Sequence, residues 1–341
     1  FSYVDYPRMI DGGLDGGFWA IWTAQGERDL AGKRKARDAG LRRLMDIREM
    51  VAAHRDHFEI ALRADDAQRI VNADKRVVYI SMENASPLAT DPSLLETYYA
   101  LGLRMLGLVH SSNNDFADSA TNPDGAEFGG LSDKGRALVA DANRLGLIID
   151  LSHSSNDTFD QVLELSKAPV ILSHSASHAL NAHPRNIDDA RIRKLAAKGG
   201  VIQVNSVSSF LIKTPTNAER DKAMDSFWEL IEDSADLTPE RQREAMRRYH
   251  EIEKQYPLPM ATFADYMKHM LHIIKVAGPE HVGLGADWDG GGGVKGMEDI
   301  ASLPKITERL VQEGYSEAQI DGILGGNLLR LMRQVEAAAG H

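Results

Sequence analysis

Cysteine does not occur anywhere in these 341 residues. Its absence excludes disulfides, thiolate nucleophiles, iron–sulfur clusters and cysteine-ligated zinc. Any metal must therefore rest on His, Asp and Glu, and 12 His are present. Aromatic residues make up only 6% of the chain, and no apolar run approaches the roughly 18 residues that a bilayer-spanning helix needs. Positive charge is in the minority, with 39 Lys and Arg against 50 Asp and Glu and a formal net charge of -11. Such a surface repels phosphate backbones and anionic lipids, which speaks against nucleic acid as a partner. No stretch has the pattern of a signal peptide, and the sequence starts at Phe1 in place of Met. What is present is 43% hydrophobic and 26% charged, a balance that buries a sizeable core. The length would suit two ordinary domains, but barrels of alternating strands and helices reach this size as one.

Short apolar runs alternate with amphipathic helical stretches along most of the chain, the pattern of parallel βα units. The runs predict seven strands, at Gly17–Trp22, Arg76–Met82, Met105–Val109, Leu147–Ser152, Pro169–Ser173, Val201–Asn205 and His281–Ala286. Most are continuously apolar instead of alternating, as strands covered on both faces are. Helix signals fill the gaps. Ser132 precedes a helix that Gly146 can end, Asp157 to Lys167 carries Phe159, Val162 and Leu163 on one face, and Asp91-Pro92 has the form of an N-cap with Pro in the first turn. Ser316 to Gln319 has capping-box spacing before the final helix. The first long helix, about Asp29 to Ala53, and the last, ending near Ala339, are expected on the outside of the barrel.

Lys213 to Pro259 breaks the rhythm. It is charged and helical, with a second helix start at Thr238-Pro239, and is best described as a helical insertion, residues 213–259, in one barrel domain of residues 1–341. Its Phe227, Trp228 and Tyr249 are expected to pack a helical hairpin, with a lid or an oligomer contact as the alternatives. Gly290 to Gly293 lacks the spacing and Lys of a phosphate loop, so flexibility beside a site is the expectation there.

Chemistry collects just after the strands. Met82 leads into Glu83, Val109 into His110, Ser152 into His153, Ser173 into His174 and Ala286 into Asp287. A parallel barrel places its active site at the carboxyl ends of its strands. One such His is usually a hydrogen-bonded structural residue. Five groups converging on one barrel mouth are costly to bury unless a metal or substrate compensates them. Glu83, His153 and His174 suit a divalent cation such as zinc, and Glu83 could bridge two metals. His54 and His57 lie at a helix end, His269 and His272 within a helix and His250 in the insertion, without ligand partners at an evident spacing. His178 and His183 follow the His174 strand and could border the pocket.

The strings LIIDLSH (147–153), PVILSH (169–174), HPRN (183–186), GLGADWDG (283–290) and GGNLLRL (325–331) resemble the membrane dipeptidase, or renal dipeptidase, family of zinc metallopeptidases. The segment DYPRM to FWAIW (5–22) is similar to the stretch after that family's first metal motif. ISMENASPL (80–88) and LVHSSNN (108–114) resemble a bacterial branch with periplasmic members linked to siderophore maturation. The resemblance implies a (β/α)8 TIM-like barrel that hydrolyses dipeptides with a dinuclear zinc site. By it, Glu83 is the bridging carboxylate and His153 and His174 complete the second metal. His110 binds substrate and polarises the scissile carbonyl, Arg185 holds the substrate's terminal carboxylate, and Asp287 shuttles the proton to the leaving amine. A homodimer is implied by the resemblance alone.

The family's other metal takes a His-x-Asp pair from the end of its first strand, and nothing before Asp5 supplies one. Seven strands also fall one short of barrel closure. The expectation is a metal-dependent hydrolase barrel whose first strand is missing from this sequence, with a natural one-metal or metal-free binding protein as the alternative. Asn84-Ala85 stands where many members carry glycine, which leaves substrate choice open. Processing of a peptide-like metabolite such as a siderophore precursor is the second enzymatic reading. A periplasmic or exported location is permitted, though not required, by the lack of cysteine.

Overall fold

The computed structural model of the chain describes residues 2–24, 26–231 and 238–340. Its frame is a sheet of eight parallel strands: β1 (Gly16–Trp22), β2 (Phe58–Ile60), β3 (Arg76–Glu83), β4 (Leu103–Gly107), β5 (Ile148–Asp150), β6 (Ile171–Ser175), β7 (Val201–Val204) and β8 (Val282–Leu284). β3 is flanked by β1 along its whole length, while β2 pairs with its beginning and β4 with its end. From β4 each strand pairs with the next, out to β8. Among the described residues β1 and β8 do not pair with each other, so the sheet stays open there.

Seven of these strands fall where the apolar runs predict them, with ends displaced by one or two residues. The eighth, β2, is absent from that prediction. Three residues are too few to show a period, and β2 is held by backbone bonds to β3, as in Arg76 N–H donating to His57 O at 2.7 Å.

Alternation along β3 divides the core. Val78, Ile80 and Met82 join a large cluster with Leu44, Ile47 and Val51 of the helix Leu30–Ala53 and with Phe159 and Val162 of the helix Asn156–Leu165. Val77 and Tyr79 point the other way and join Met105, Ile148, Ile171 and Val201. Each such side chain, once buried, contributes about 1.5–3 kcal/mol. The first long helix lies on the outer face, as expected. The last helix, Asn327–Ala338, does not: its Leu331, Met332 and Val335 cover the Val77 and Tyr79 face. The frame is the TIM-like parallel α/β fold expected from the sequence, open between β1 and β8 among the described residues.

Several helix ends follow the sequence signals. Ser132 Oγ accepts from Gly135 N–H, Gly146 ends the same helix at φ 74°, and Ser316 with Gln319 forms a capping box; each cap contributes about 1 kcal/mol. Asp91-Pro92 is different. Asp91 accepts from Ser93 N–H and Oγ in a tight turn, and the helix Leu94–Ala100 starts two residues later than predicted.

Of the insertion 213–259, residues 232–237 lie outside the described residues. Its helices Ala218–Ile231 and Pro239–Gln255 pack together, Phe227 lying 5.5 Å from Tyr249 and 5.1 Å from Trp228 between ring centroids. Arg220 donates to Tyr256 O at 2.8 Å and pairs with Glu253, which ties the hairpin together. Among the described residues no helix is long and apolar enough to cross a membrane.

Candidate active site

The carboxyl ends of the strands gather the five groups that sequence places there. Glu83 closes β3, His174 lies within β6, and His110, His153 and Asp287 each follow a strand by a few residues. Two of them stand on strained backbone: His153 has φ 69° and Asp287 φ 63°, a region that costs a side-chain-bearing residue about 1 kcal/mol or more. The pairing of β6 with β7 slips between Leu172 and Ser175, where one residue is extra on β6. Bulges of this kind re-aim side chains at active sites, and here Ser173 and His174 act together although neighbours in a regular strand face opposite ways.

Glu83, His153 and His174 meet at bonding distance. His153 Nε2 lies 3.0 Å from Glu83 Oε1 and 2.9 Å from His174 Nε2, and His174 Nε2 lies 3.4 Å from the same carboxylate oxygen. Burial would raise the Glu83 carboxyl, but the neighbouring His153 and His174 rings outweigh it and hold Glu83 well below the usual carboxylate range. Burial, helped by the Arg185 charge, drives His153 well below the usual imidazole value, so it is neutral at pH 7. For His174 burial is opposed by the carboxylates of Asp287 and Glu83, and the net direction is upward.

Glu83, His110 and His153 also offer ligand atoms within 4.8 Å of one another, so the carboxylate faces three imidazoles. His110 is the outer one, 3.8 Å from Glu83, and its Nε2 accepts from the Trp22 indole N–H at 3.4 Å. That contact engages the lone pair a metal would need, and it favours His153 and His174 as ligands. Burial pushes His110 down to about 4, which keeps it neutral. The donor set of two imidazole nitrogens and a carboxylate fits zinc. The buried Nδ1 atoms of His110 and His153 have no hydrogen-bond partner.

Arg185 is buried beside this cluster. It donates from Nη2 to His174 O at 3.3 Å, its guanidinium lies 5.4 Å from the Phe210 ring, and its Nε lacks a partner. Burial lowers it to about 10, against the pull of Glu83 and Asp287, so it remains a cation. Asp287 accepts from Asn205 Nδ2 at 3.5 Å, and burial raises it to about 6. Such a carboxyl can hold or release a proton near neutrality.

The glycine run after β8 makes local backbone hydrogen bonds. Gly290 and Gly292 N–H both donate to Asp287 O, and a Cβ on Gly292 would lie 1.8 Å from Ala286 O; glycine is needed there for close approach. Just before the glycines in the same loop, Asp289 accepts from Ser2 Oγ and Tyr3 N–H, both at 2.7 Å.

Among the described histidines outside this cluster, His269 and His272 are structural. His269 is buried, accepts from Ser177 N–H at Nδ1 and donates from Nε2 to Leu211 O. His272 donates to Asp189 at 2.8 Å. His178 is exposed, and His183 stacks on Phe210 and accepts from Arg185 N–H, which places it at the pocket border.

Sequence reasoning missed the supports. Buried Asp118 accepts from the N–H groups of Glu127, Phe128 and Gly130, and the loop it organises places Ser119 Oγ on His110 O at 2.6 Å and Ala120 N–H on His153 O at 2.7 Å. Asp150, Ser152 and Ser173 form a polar layer under His174. The one available signal was an acid, Asp150, inside the apolar run LIIDLSH.

The sequence pattern that describes the membrane dipeptidases, peptidase family M19, matches residues 2–341. Dipeptidase tcpJ of Claviceps purpurea is 29% identical over 344 residues, covering 99% of this chain and 70% of that protein. An uncharacterized dipeptidase of Schizosaccharomyces pombe is 33% identical over 296 residues, covering 86% of this chain and 61% of the relative. Among solved structures, the probable dipeptidase PvdM from Pseudomonas aeruginosa superposes with a TM-score of 0.82 at 29% identity, covering 99% of this chain and 90% of that one. A metallo peptidase from Rhodobacter sphaeroides, liganded with a phosphinate mimic of the dipeptide L-Ala-D-Ala, gives 0.78 at 25% identity, covering 98% and 91%. With its parallel α/β frame and its carboxylate among three histidines, the chain belongs to the membrane dipeptidase family, peptidase family M19, and with it to the metallo-dipeptidase hydrolases.

Proposed function

We propose that this protein hydrolyses the peptide bond of small dipeptides at the mouth formed by β3 to β8, where Glu83, His153 and His174 would hold zinc; a second zinc would need, besides Glu83, the first-strand His-x-Asp pair that nothing before Asp5 supplies. The observation that carries this is the convergence of Glu83 Oε1 with two imidazole Nε2 atoms, beside a buried Arg185 and a carboxyl near neutrality. When bound, zinc supplies Lewis acidity that makes water a nucleophile at neutral pH and polarises a carbonyl.

The chain's own residues do the rest. Arg185 binds the substrate's terminal carboxylate through its guanidinium, whose planar fork matches a carboxylate. That anchor sets the scissile carbonyl beside His110, whose neutral ring supports the oxyanion in its Nε2–H form, with the Trp22 contact released. Asp287 takes the proton released as water oxygen bonds to the carbonyl carbon, then gives it to the amine as the C–N bond breaks. Burial keeps Asp287 basic enough to accept and acidic enough to donate.

The test is a dipeptide panel, including L-Ala-L-Ala and L-Ala-D-Ala, against protein that has been chelated, zinc-loaded or altered by Glu83→Ala. Cleavage by the loaded protein alone supports the proposal. A loaded protein that cleaves nothing and behaves like Glu83→Ala overturns it. Intact mass and metal analysis on the same sample count the zinc ions per chain. Export to the periplasm and a homodimer belong to the same proposal on the strength of the family resemblance, and cell fractionation and light scattering test them.

A further inference from the structure

Beneath His174 lies a chain of hydrogen bonds that ends on a carboxylate. Asp150 is buried, and its Oδ1 accepts from Ser152 N–H at 3.0 Å and Ser173 N–H at 2.9 Å. Its Oδ2 accepts from Ser173 Oγ at 2.5 Å. Ser173 Oγ is in turn 2.7 Å from His174 Nδ1 and 3.3 Å from Ser152 Oγ, while Ser152 Oγ accepts from His174 N–H at 3.0 Å.

Proton counting fixes the direction of this chain. An ionised carboxylate only accepts, and a serine hydroxyl has one proton to give. Ser173 gives its proton to Asp150, so toward His174 it can only accept, and the proton between them belongs to His174 Nδ1. The Nε2 of His174 is then the bare nitrogen, and it is the one that faces Glu83 and His153. The bulge in β6 makes this possible by letting Ser173 and His174 work on the same side of the sheet. His153 has no such support, since its Nδ1 has no partner.

We infer that Asp150 and Ser173 are positioning residues which lock His174 in the Nδ1–H tautomer and so reserve its Nε2 lone pair for the metal. The inference rests on the metal reading of the site, but the tautomer can be tested without metal. Asp150→Asn is the informative variant. Its amide keeps the shape and an oxygen for the two backbone N–H groups, yet presents an NH2 to Ser173. Ser173 then accepts there, turns its own proton toward His174 Nδ1, and drives the ring to the Nε2–H form.

The experiment has two arms on the full chain. In the first, metal-free protein with 15N-labelled histidine is examined by long-range 1H–15N NMR at pH 8, with His174→Gln to assign the signal. Nδ1–H in the wild type and Nε2–H in Asp150→Asn are expected; the same tautomer in both overturns the relay. In the second, zinc affinity is measured by competition with a chromophoric chelator. Asp150→Asn should bind about 10- to 100-fold more weakly, Ser173→Ala should lose less, and Ser173→Thr, which keeps the hydroxyl, should stay within about threefold of the wild type. Affinity unchanged in Asp150→Asn overturns the proposal. A wild type that binds no zinc would sink the metal reading instead, with the tautomer still decided by the first arm. Circular dichroism of each variant separates loss of the relay from loss of the fold.

Discussion

His153 Nε2 stands 2.9 Å from His174 Nε2, an approach that two imidazoles sustain only with a proton between them or a cation in its place. Glu83 makes either arrangement affordable by placing a negative oxygen 3.0 Å from one ring and 3.4 Å from the other. Glu83→Ala should remove the negative oxygen that both rings face, weaken zinc binding by about 100-fold or more and abolish hydrolysis. Metal analysis after dialysis against a graded chelator series checks the first effect, and turnover at saturating zinc the second.

Asp287 makes a prediction with a defined sign. Its carboxyl is raised from the ordinary 3.8 to about 6, so its ionised form is disfavoured in the folded chain. The protein is therefore most stable, as far as this group decides, below pH 3.8, and loses stability as pH rises through about 6. In metal-free protein Asp287→Asn should melt higher than the wild type at pH 7.5, by up to about 3 kcal/mol. The advantage should vanish toward pH 4. Hydrolysis should respond the other way, with kcat falling about 100-fold or more in the variant and the wild-type kcat/KM falling below pH 6. Thermal melts and rates across that range check both.

Arg185→Lys keeps the charge but removes the planar fork. kcat/KM for free dipeptides should fall about 100-fold, on the order of 3 kcal/mol. For a dipeptide amide, which has no terminal carboxylate, variant and wild type should differ by less than about threefold. Steady-state rates on the two substrates settle it.

Asp118→Ala would strand three N–H groups, those of Glu127, Phe128 and Gly130, the last of them buried. A loss of about 2–4 kcal/mol in urea unfolding is expected. Because the same loop sets Ser119 on His110 O, kcat should fall even at temperatures where the variant remains folded.

The frame and the reactive groups were legible because both are local in sequence. Apolar runs such as RVVYISM announce strands buried on two faces, and Glu83, His153 and His174 follow such runs directly. What stayed hidden depends on partners far away in sequence. β2 is three residues stabilised by β3; the bulge in β6 exists only relative to β7; and Asp118 acts through N–H groups of a loop with no periodicity. The last helix shows an ordinary amphipathic stripe, and a stripe does not say which face of a sheet it will cover. Asp91-Pro92 illustrates the opposite failure, in which a correct local signal is used for a turn one step ahead of the helix.

Asp289 gives Ser2 and Tyr3 a mechanical part in the site. Its carboxylate grips Ser2 and Tyr3, and its backbone is two residues from Asp287, so the first residues and the proton-handling carboxyl are moored to the same short loop. A fluorophore placed at position 2 would therefore sense substrate entering beside Asp287, and a pull on the segment of Ser2 and Tyr3 would be felt at the active site before it reached any strand.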